Sequence, residues 1–450
     1  MGGAETVAQL RLTPAAVAQS AFFEEWSTLV TALAVVLANA AADAAKVVVF
    51  SSSSTSSSPW KGTFYASLWA VLTALYALVK VEVDQARVLS SWTQLKESAV
   101  VAVGASGVAL ALLLNFSSSS SSSSTSSSPL PALDLASGGK AAARILYVAT
   151  EIKVETVPPF LVALPLALVA GVIVPLLAGS AARAARAVSL TATRTPEWGR
   201  EMLFAHKFVD RCALRCSVLI APLVAALLWL EPCARLWVSG GGGSGGGGGS
   251  SDGGDDGSAE RRSVDALRSF SLLLAALSSV CAARPSVVAH CGTALVVWWT
   301  RKHGFVSRRN GKKKKKGGGS VAAAVEKEET EAEAASRRLG SNWRAGEVLR
   351  LSMQFINLFA LKAGVQALAP GLLWLGCGAV SSSSALGALL QSKNGSENGS
   401  GSGSGSGSDL EQISLWLGGW SAAVFALCSL WHLALYWCGW LTDVPAGGKR

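Results

Sequence analysis

The chain lacks the short motifs that carry most soluble enzyme chemistry. It has no glycine loop of the phosphate-binding kind between a strand and a helix, no HExxH, no GxSxG and no catalytic paired-carboxylate motif. Its eight cysteines have no metal-site spacing: Cys212 and Cys216 stand four apart with no second pair or histidine at the interval that zinc requires. The N-terminus has neither the basic nor the apolar part of a secretory signal. Charged residues make up only 15% of the chain, so basic residues, although they leave a net charge of +10, do not stripe a polar domain as nucleic-acid binding demands. These absences point away from an enzyme, a cofactor and a nucleic-acid partner.

What is present in excess is apolar sequence. Half of the 450 residues are hydrophobic and the mean hydropathy is +0.39, beyond the balance of a soluble domain. A helix crosses the hydrocarbon layer with about 20 apolar residues, each rising about 1.5 Å. Eight segments reach that length, near residues 27–49, 62–82, 98–116, 158–178, 216–236, 264–283, 350–376 and 414–440. The predicted fold is therefore all-α, a polytopic integral membrane helical bundle of about eight transmembrane helices whose chief partner is the lipid bilayer.

Tracts rich in Ser and Gly separate the spans. SSSSTSSSP at 51, SSSSSSSSTSSSP at 117, the glycine run at 239 and NGSENGSGSGSGSGS at 394 cannot bury enough apolar surface to order themselves, and read as disordered loops. The organisation that follows is a segment 1–26, a three-span unit 27–116, an outer loop 117–157, a three-span unit 158–283, a basic segment 284–349, a two-span unit 350–440 and a tail 441–450.

Lysine and arginine are retained on the cytoplasmic side of short loops. Running the first span outward places most of the 39 basic residues inside, both termini in the cytoplasm and all four polar tracts outside. The glycosylation sequons at Asn115, Asn394 and Asn398 also fall outside, where they are accessible to modification, Asn115 lying close to the bilayer. Gly2 and Thr6 fit the myristoylation pattern, but one acyl chain adds little to a multi-pass protein.

Pieces of three spans resemble a known family. Ala221, Pro222, Leu223, Leu227, Leu228, Trp229 and Pro232, then Asp265, Leu267 and Arg268, then Gln366, Ala369 and Pro370 are similar in order and spacing to the APLxxxLLWxxP, D-x-L-R and Q-x-x-A-P segments of the transmembrane protein 161 family. The family begins with a further span and a basic loop before the segment matching residue 27, so this chain is expected to be shorter at its start. The resemblance implies a non-enzymatic regulator of potassium and calcium currents, with ion channels or other membrane proteins as partners. The alternative is a transporter or channel for a small solute or ion.

Polar groups inside the spans are the candidate site. Each ionisable side chain there costs roughly 2.5–3.5 kcal/mol on insertion scales, so its retention requires a reason. Lys362 falls near the middle of the seventh predicted span; Glu347, Arg350, Gln354 and Asn357 share one helical face, with Lys362 and Gln366 beside it. On the first span, Asn39, Asp43 and Lys46 lie toward the outer half. Lys362 could meet Asp43 as part of an ion path or a gating contact; alternatively Asp43 pairs with Lys46 three residues on, while Lys362 snorkels or bonds to Gln366.

Pro165, Pro175, Pro222 and Pro370 are read as helix kinks, static or hinged. Trp416 and Trp420 at one end of the last span, and Trp437 and Trp440 at the other, read as interfacial anchors, with His432 between them as a packing residue. After Pro285 a short helix ending in Arg301 and Lys302 suits the cytoplasmic interface, and the five lysines Lys312 to Lys316 are placed to attract anionic lipid. Cys233 and Cys377, both near the outer surface, are the candidate disulfide pair.

Overall fold

The computed structural model describes residues 22–49, 61–88, 92–118, 157–192, 208–241, 256–290, 361–393 and 405–441. Among them there are helices and no strand. They are α1 (Phe23–Val49), α2 (Lys61–Val88), α3 (Trp92–Ser118), α4 (Pro159–Ala192), α5 (Phe208–Arg215), α6 (Ala221–Trp229), α7 (Glu231–Gly241), α8 (Asp256–Val288), α9 (Leu361–Lys393) and α10 (Gly405–Trp437). A π turn, Cys216–Ile220, joins α5 to α6. Eight stretches of the described helices are long and apolar enough to cross a membrane. The protein is thus an all-α bundle compatible with multi-pass insertion.

The spans differ sharply in how much of each the bundle covers. In an 18-residue window of Leu361–Ser381 of α9, 89% of the residues are buried, against 11% in the window of Leu95–Asn115 of α3. α9 is the axis, packed against α8, α2, α10 and α1; α3 stands at the periphery against α4. Outward faces carry exposed Leu37, Val100, Val103, Leu161, Leu277 and Leu427, apolar surface suited to lipid.

In hydrocarbon the drive to pack comes from close van der Waals contact and interhelical hydrogen bonds, so small residues gather at the contacts. α9 follows that rule on several sides. A Cβ on Gly371 would lie 2.8 Å from Ser279 Cβ on α8, one on Gly376 would lie 2.8 Å from the Ser67 carbonyl oxygen on α2, and one on Gly378 would lie 3.2 Å from the Ser269 carbonyl oxygen. Ser279 Oγ donates to the Ala367 carbonyl at 2.7 Å and Ser269 Oγ lies 2.7 Å from Ser381 Oγ. These two contacts run in opposite sequence directions, so α8 and α9 are antiparallel. Trp374, fully buried, donates its Nε1–H to Ser421 Oγ of α10 at 3.1 Å and meets Phe425 edge to face.

The prolines act differently from one another. Pro165, Pro175 and Pro370 lie within α4 and α9, and so does Pro285 within α8. The helix therefore continues past Pro285 through Val288, into the stretch expected as a separate interfacial helix; residues 291–305 of that stretch lie outside the described residues. Pro222 cannot donate to the helical ladder. The π turn immediately before it takes up the mismatch, with the Ala221 N–H donating to the Cys216 carbonyl five residues back.

Two other expectations are corrected. Trp416 is 2% exposed and stacks on Trp420, and both meet Trp229 edge to face; the Trp420 Nε1–H donates to the Ala170 carbonyl. They fill a contact between α10, α6 and α4, because a partner tryptophan from a distant span covers them. Trp437 and Trp440, at 75% and 82% exposure, do project outward. Cys233 and Cys377 are both free thiols: Cys377 faces the α10 contact at Gly418 and is buried. His432 packs as expected, with Nδ1 2.7 Å from the Cys428 carbonyl oxygen.

Candidate functional sites at the two ends of the bundle

The polar and charged groups of the bundle divide between its ends. At the first end, α6 stops at Leu230, whose ψ of 125° is extended, and α7 begins at Glu231. A helix that ends inside a bundle leaves its last carbonyls without intrahelical donors. Arg268, 6% exposed on α8, supplies them: Nε donates to the Leu228 carbonyl at 3.1 Å and Nη2 reaches the Trp229 carbonyl at 3.4 Å. The same guanidinium donates to the Glu231 carboxylate through Nη2 and to Asp265 Oδ1 at 3.2 Å. Arg235, one turn beyond Glu231, donates to its Oε1 at 3.0 Å.

Burial works against a charged Glu231, but hydrogen bonding and charge from Arg268 and then Arg235 outweigh it and hold the carboxyl below its ordinary value of 4.5. A depressed carboxyl contributes stability that is full above the unfolded value, near 4.5, and is lost as pH falls through the folded value. Unfolding midpoints of the purified protein should therefore decline from about pH 4.5 downward, and Glu231→Gln should flatten that part of the profile. An unchanged acid limb in the variant would show that the pair does not govern it.

At the opposite end lie the N-terminal turns of α1 and α9 and the last turns of α2, α4 and α8. Glu25, 5% exposed, is ion-paired with Lys80, and Glu24 approaches the same ammonium at 3.9 Å. Lys362 is the second residue of α9, with its Nζ 5.9 Å from the centre of the Phe22 ring. It interacts electrostatically with Arg183, Glu82 and Asp84. The Glu82 carboxylate lies where a Cβ on Gly179 would be, at 2.5 Å, so Gly179 admits it against α4. Beyond Val288, His290 lies 3.1 Å through Nε2 from the Arg183 carbonyl oxygen. Burial, then the charges of Arg186 and Arg183, lower its pKa to about 4, so it is neutral at pH 7 and its Nε2–H donates.

This geometry changes the reading of the intramembrane polar residues. Lys362 is the second described residue of the seventh span, which is described from Leu361 onward; residues 350–360, where that span was expected to begin, lie outside the described residues. Phe22, beside Lys362, precedes the Asp43 position by about 30 Å of helix. Gln366, one turn from Lys362 and 3% exposed, has no hydrogen-bond partner for its Oε1 among the described residues. It does not pair with Lys362 through that atom. Asn39 instead donates its amide to the Val35 carbonyl, on its own helix.

Asp43 and Lys46 lie on α1 with side chains outside the described residues, as do Gln354, Asn357, Asn394, Asn398 and Lys312 to Lys316 in full. Asn115 is exposed at the end of α3. Among the described residues no group of three or more His, Cys, Asp or Glu side chains could hold a metal ion.

The Arg268–Glu231 pair was not among the expected site residues. A signal for it exists: each charge flanks an apolar run, the two runs are consecutive, and both charges fall at the ends joined by the glycine-rich tract. They must then lie at the same depth. The class of protein defined by the fold is a multi-pass helical membrane bundle. Comparisons with protein families, curated proteins and solved structures found no match.

Proposed function

We propose that the protein is a non-enzymatic regulator of ion currents that acts by associating with channels or other proteins of the bilayer. The carrying observation is the course of α9. It traverses the bundle with glycines against neighbouring backbones on α2 and α8 and with Trp374 wholly enclosed. No charged residue occurs in it between Lys362 and Lys393, so the charged groups of the two ends are separated along the axis by about 20 Å of packed helix. Filled packing of this kind favours a role exercised through surfaces over conduction through the middle. The similarity of the Ala221–Pro232, Asp265–Arg268 and Gln366–Pro370 segments to the transmembrane protein 161 family supports the same reading and suggests potassium and calcium currents as the regulated quantity.

The test separates regulation from transport. Purified protein in liposomes is expected to give potassium and calcium fluxes equal to those of empty liposomes, while its removal from cells alters channel currents and its return restores them. Flux from the protein alone would replace this reading with the transporter or channel alternative; silence in both assays would reject both.

A further inference from the structure

The exposed cysteines among the described residues are Cys216, Cys281 and Cys438, and all of them lie at the end of the bundle that holds Lys362. Their helices are fastened there by one buried cluster, which takes in Leu214 and Val218 on either side of Cys216, Ala282 beside Cys281, and Leu433 of α10. The thiols stand on the outer side of that cluster. Exposed Arg215 precedes Cys216, exposed Arg284 follows Cys281 by one turn, and exposed Trp437 and Trp440 flank Cys438. Arginine and tryptophan are side chains that reach for the headgroup layer. From Asp265 to Arg284, α8 rises about 28 Å, close to the roughly 30 Å of the hydrocarbon layer. The exposed thiols therefore sit at its edge.

From each of them an exposed apolar ridge runs into the bilayer. Four and seven residues along the helix from Cys216 are Ile220 and Leu223; from Cys281, Leu277 and Leu274; from Cys438, Ala434 and Trp431, all of them exposed or nearly so. Side chains at those intervals share a helix face. An acyl chain joined to such a sulfur would lie along apolar side chains in lipid and keep its thioester at the headgroup boundary. The other described cysteines lack this placement: Cys377 is buried, Cys212, Cys233 and Cys428 are half-buried, and Cys233 belongs to the opposite end, beside Glu231. We propose that Cys216, Cys281 and Cys438 are sites of reversible S-acylation by a long-chain fatty acyl group. Accessible juxtamembrane thiols are the acceptors in that chemistry. The sulfur attacks the carbonyl of a long-chain acyl thioester of coenzyme A. The bond from that carbonyl to the coenzyme A sulfur breaks as the bond to cysteine forms, and the thiol proton leaves with coenzyme A. Nothing is oxidised or reduced. The step places this end of the bundle on the cytoplasmic side, where such thioesters reside and where the Lys and Arg of its loops are retained. The assignment holds whether the protein regulates or transports ions.

The test uses the full chain in cultured cells supplied with alkyne-tagged palmitate, with each cysteine peptide mapped by mass spectrometry before and after hydroxylamine, which cleaves thioesters and spares an amide such as a myristoyl group on Gly2. Hydroxylamine-labile label is expected on the peptides of Cys216, Cys281 and Cys438 and not on those of Cys233 or Cys377. The triple variant Cys216→Ser, Cys281→Ser, Cys438→Ser should lose most of the labile label while unfolding at the wild-type temperature, since each side chain it changes is exposed. The wild-type map alone provides the test if that variant does not fold. Absence of labile label from all three peptides would overturn the assignment, and so would undiminished label in the folded triple variant. Label on Cys233 equal to that on Cys216 would overturn the placement of the acylated end on the cytoplasmic side.

Discussion

Arg268→Met is expected to destabilise the bundle by about 3–5 kcal/mol, the range for removing one partner of a buried ion pair. The size follows from what the guanidinium holds. Its loss leaves the Glu231 carboxylate half-buried with only Arg235, and removes the donors from the Leu228 and Trp229 carbonyls at the break between α6 and α7. Glu231→Met should cost less, because Arg268 keeps Asp265 and the two carbonyls. The double variant should recover part of the single arginine loss, since the stranded charge is gone while the carbonyls remain uncapped. Thermal unfolding in one detergent at neutral pH measures all three. Equal stability of Arg268→Met and wild type would mean that the helix break is held by other contacts.

Gly376→Val should destabilise by about 1–3 kcal/mol or more, as overpacking of a tight contact does. Its added Cβ would lie 2.8 Å from the Ser67 carbonyl oxygen and 2.5 Å from Val71 Cγ2. The first of these is backbone, which a rotamer change cannot move aside. Gly104→Ala on α3 is the counterpart: nothing lies within 4 Å of a Cβ there, and replacing an exposed helical glycine with alanine gains about 1 kcal/mol of helix propensity. Opposite signs for the two substitutions would locate the close packing at the axis. A neutral Gly376→Val would show that α2 and α9 are free to separate.

Much of the architecture is legible in the sequence because bilayer thickness sets a length that an apolar run either reaches or does not. Each of the eight membrane-length stretches overlaps an apolar run. Positions along and around the helices are less legible. The polar face from Glu347 to Gln366 has helical periodicity; its part before Leu361 lies outside the described residues, and Lys362 and Gln366 are the members described. Trp416 near a span end satisfies an interfacial pattern, and its burial depends on Trp229 arriving from another span. The break at Leu230 leaves only the adjacent Glu231 and Pro232 as a local trace. The Arg268 donor that stabilises it comes from the next span.

The central claim is that these helices cross a lipid bilayer, and extraction of native membranes with sodium carbonate at alkaline pH tests it most directly. Integral spans resist that treatment because their apolar faces have no alternative to lipid, so the full chain should remain in the membrane pellet and leave it only with detergent. Recovery of the intact chain in the detergent-free supernatant would contradict the account.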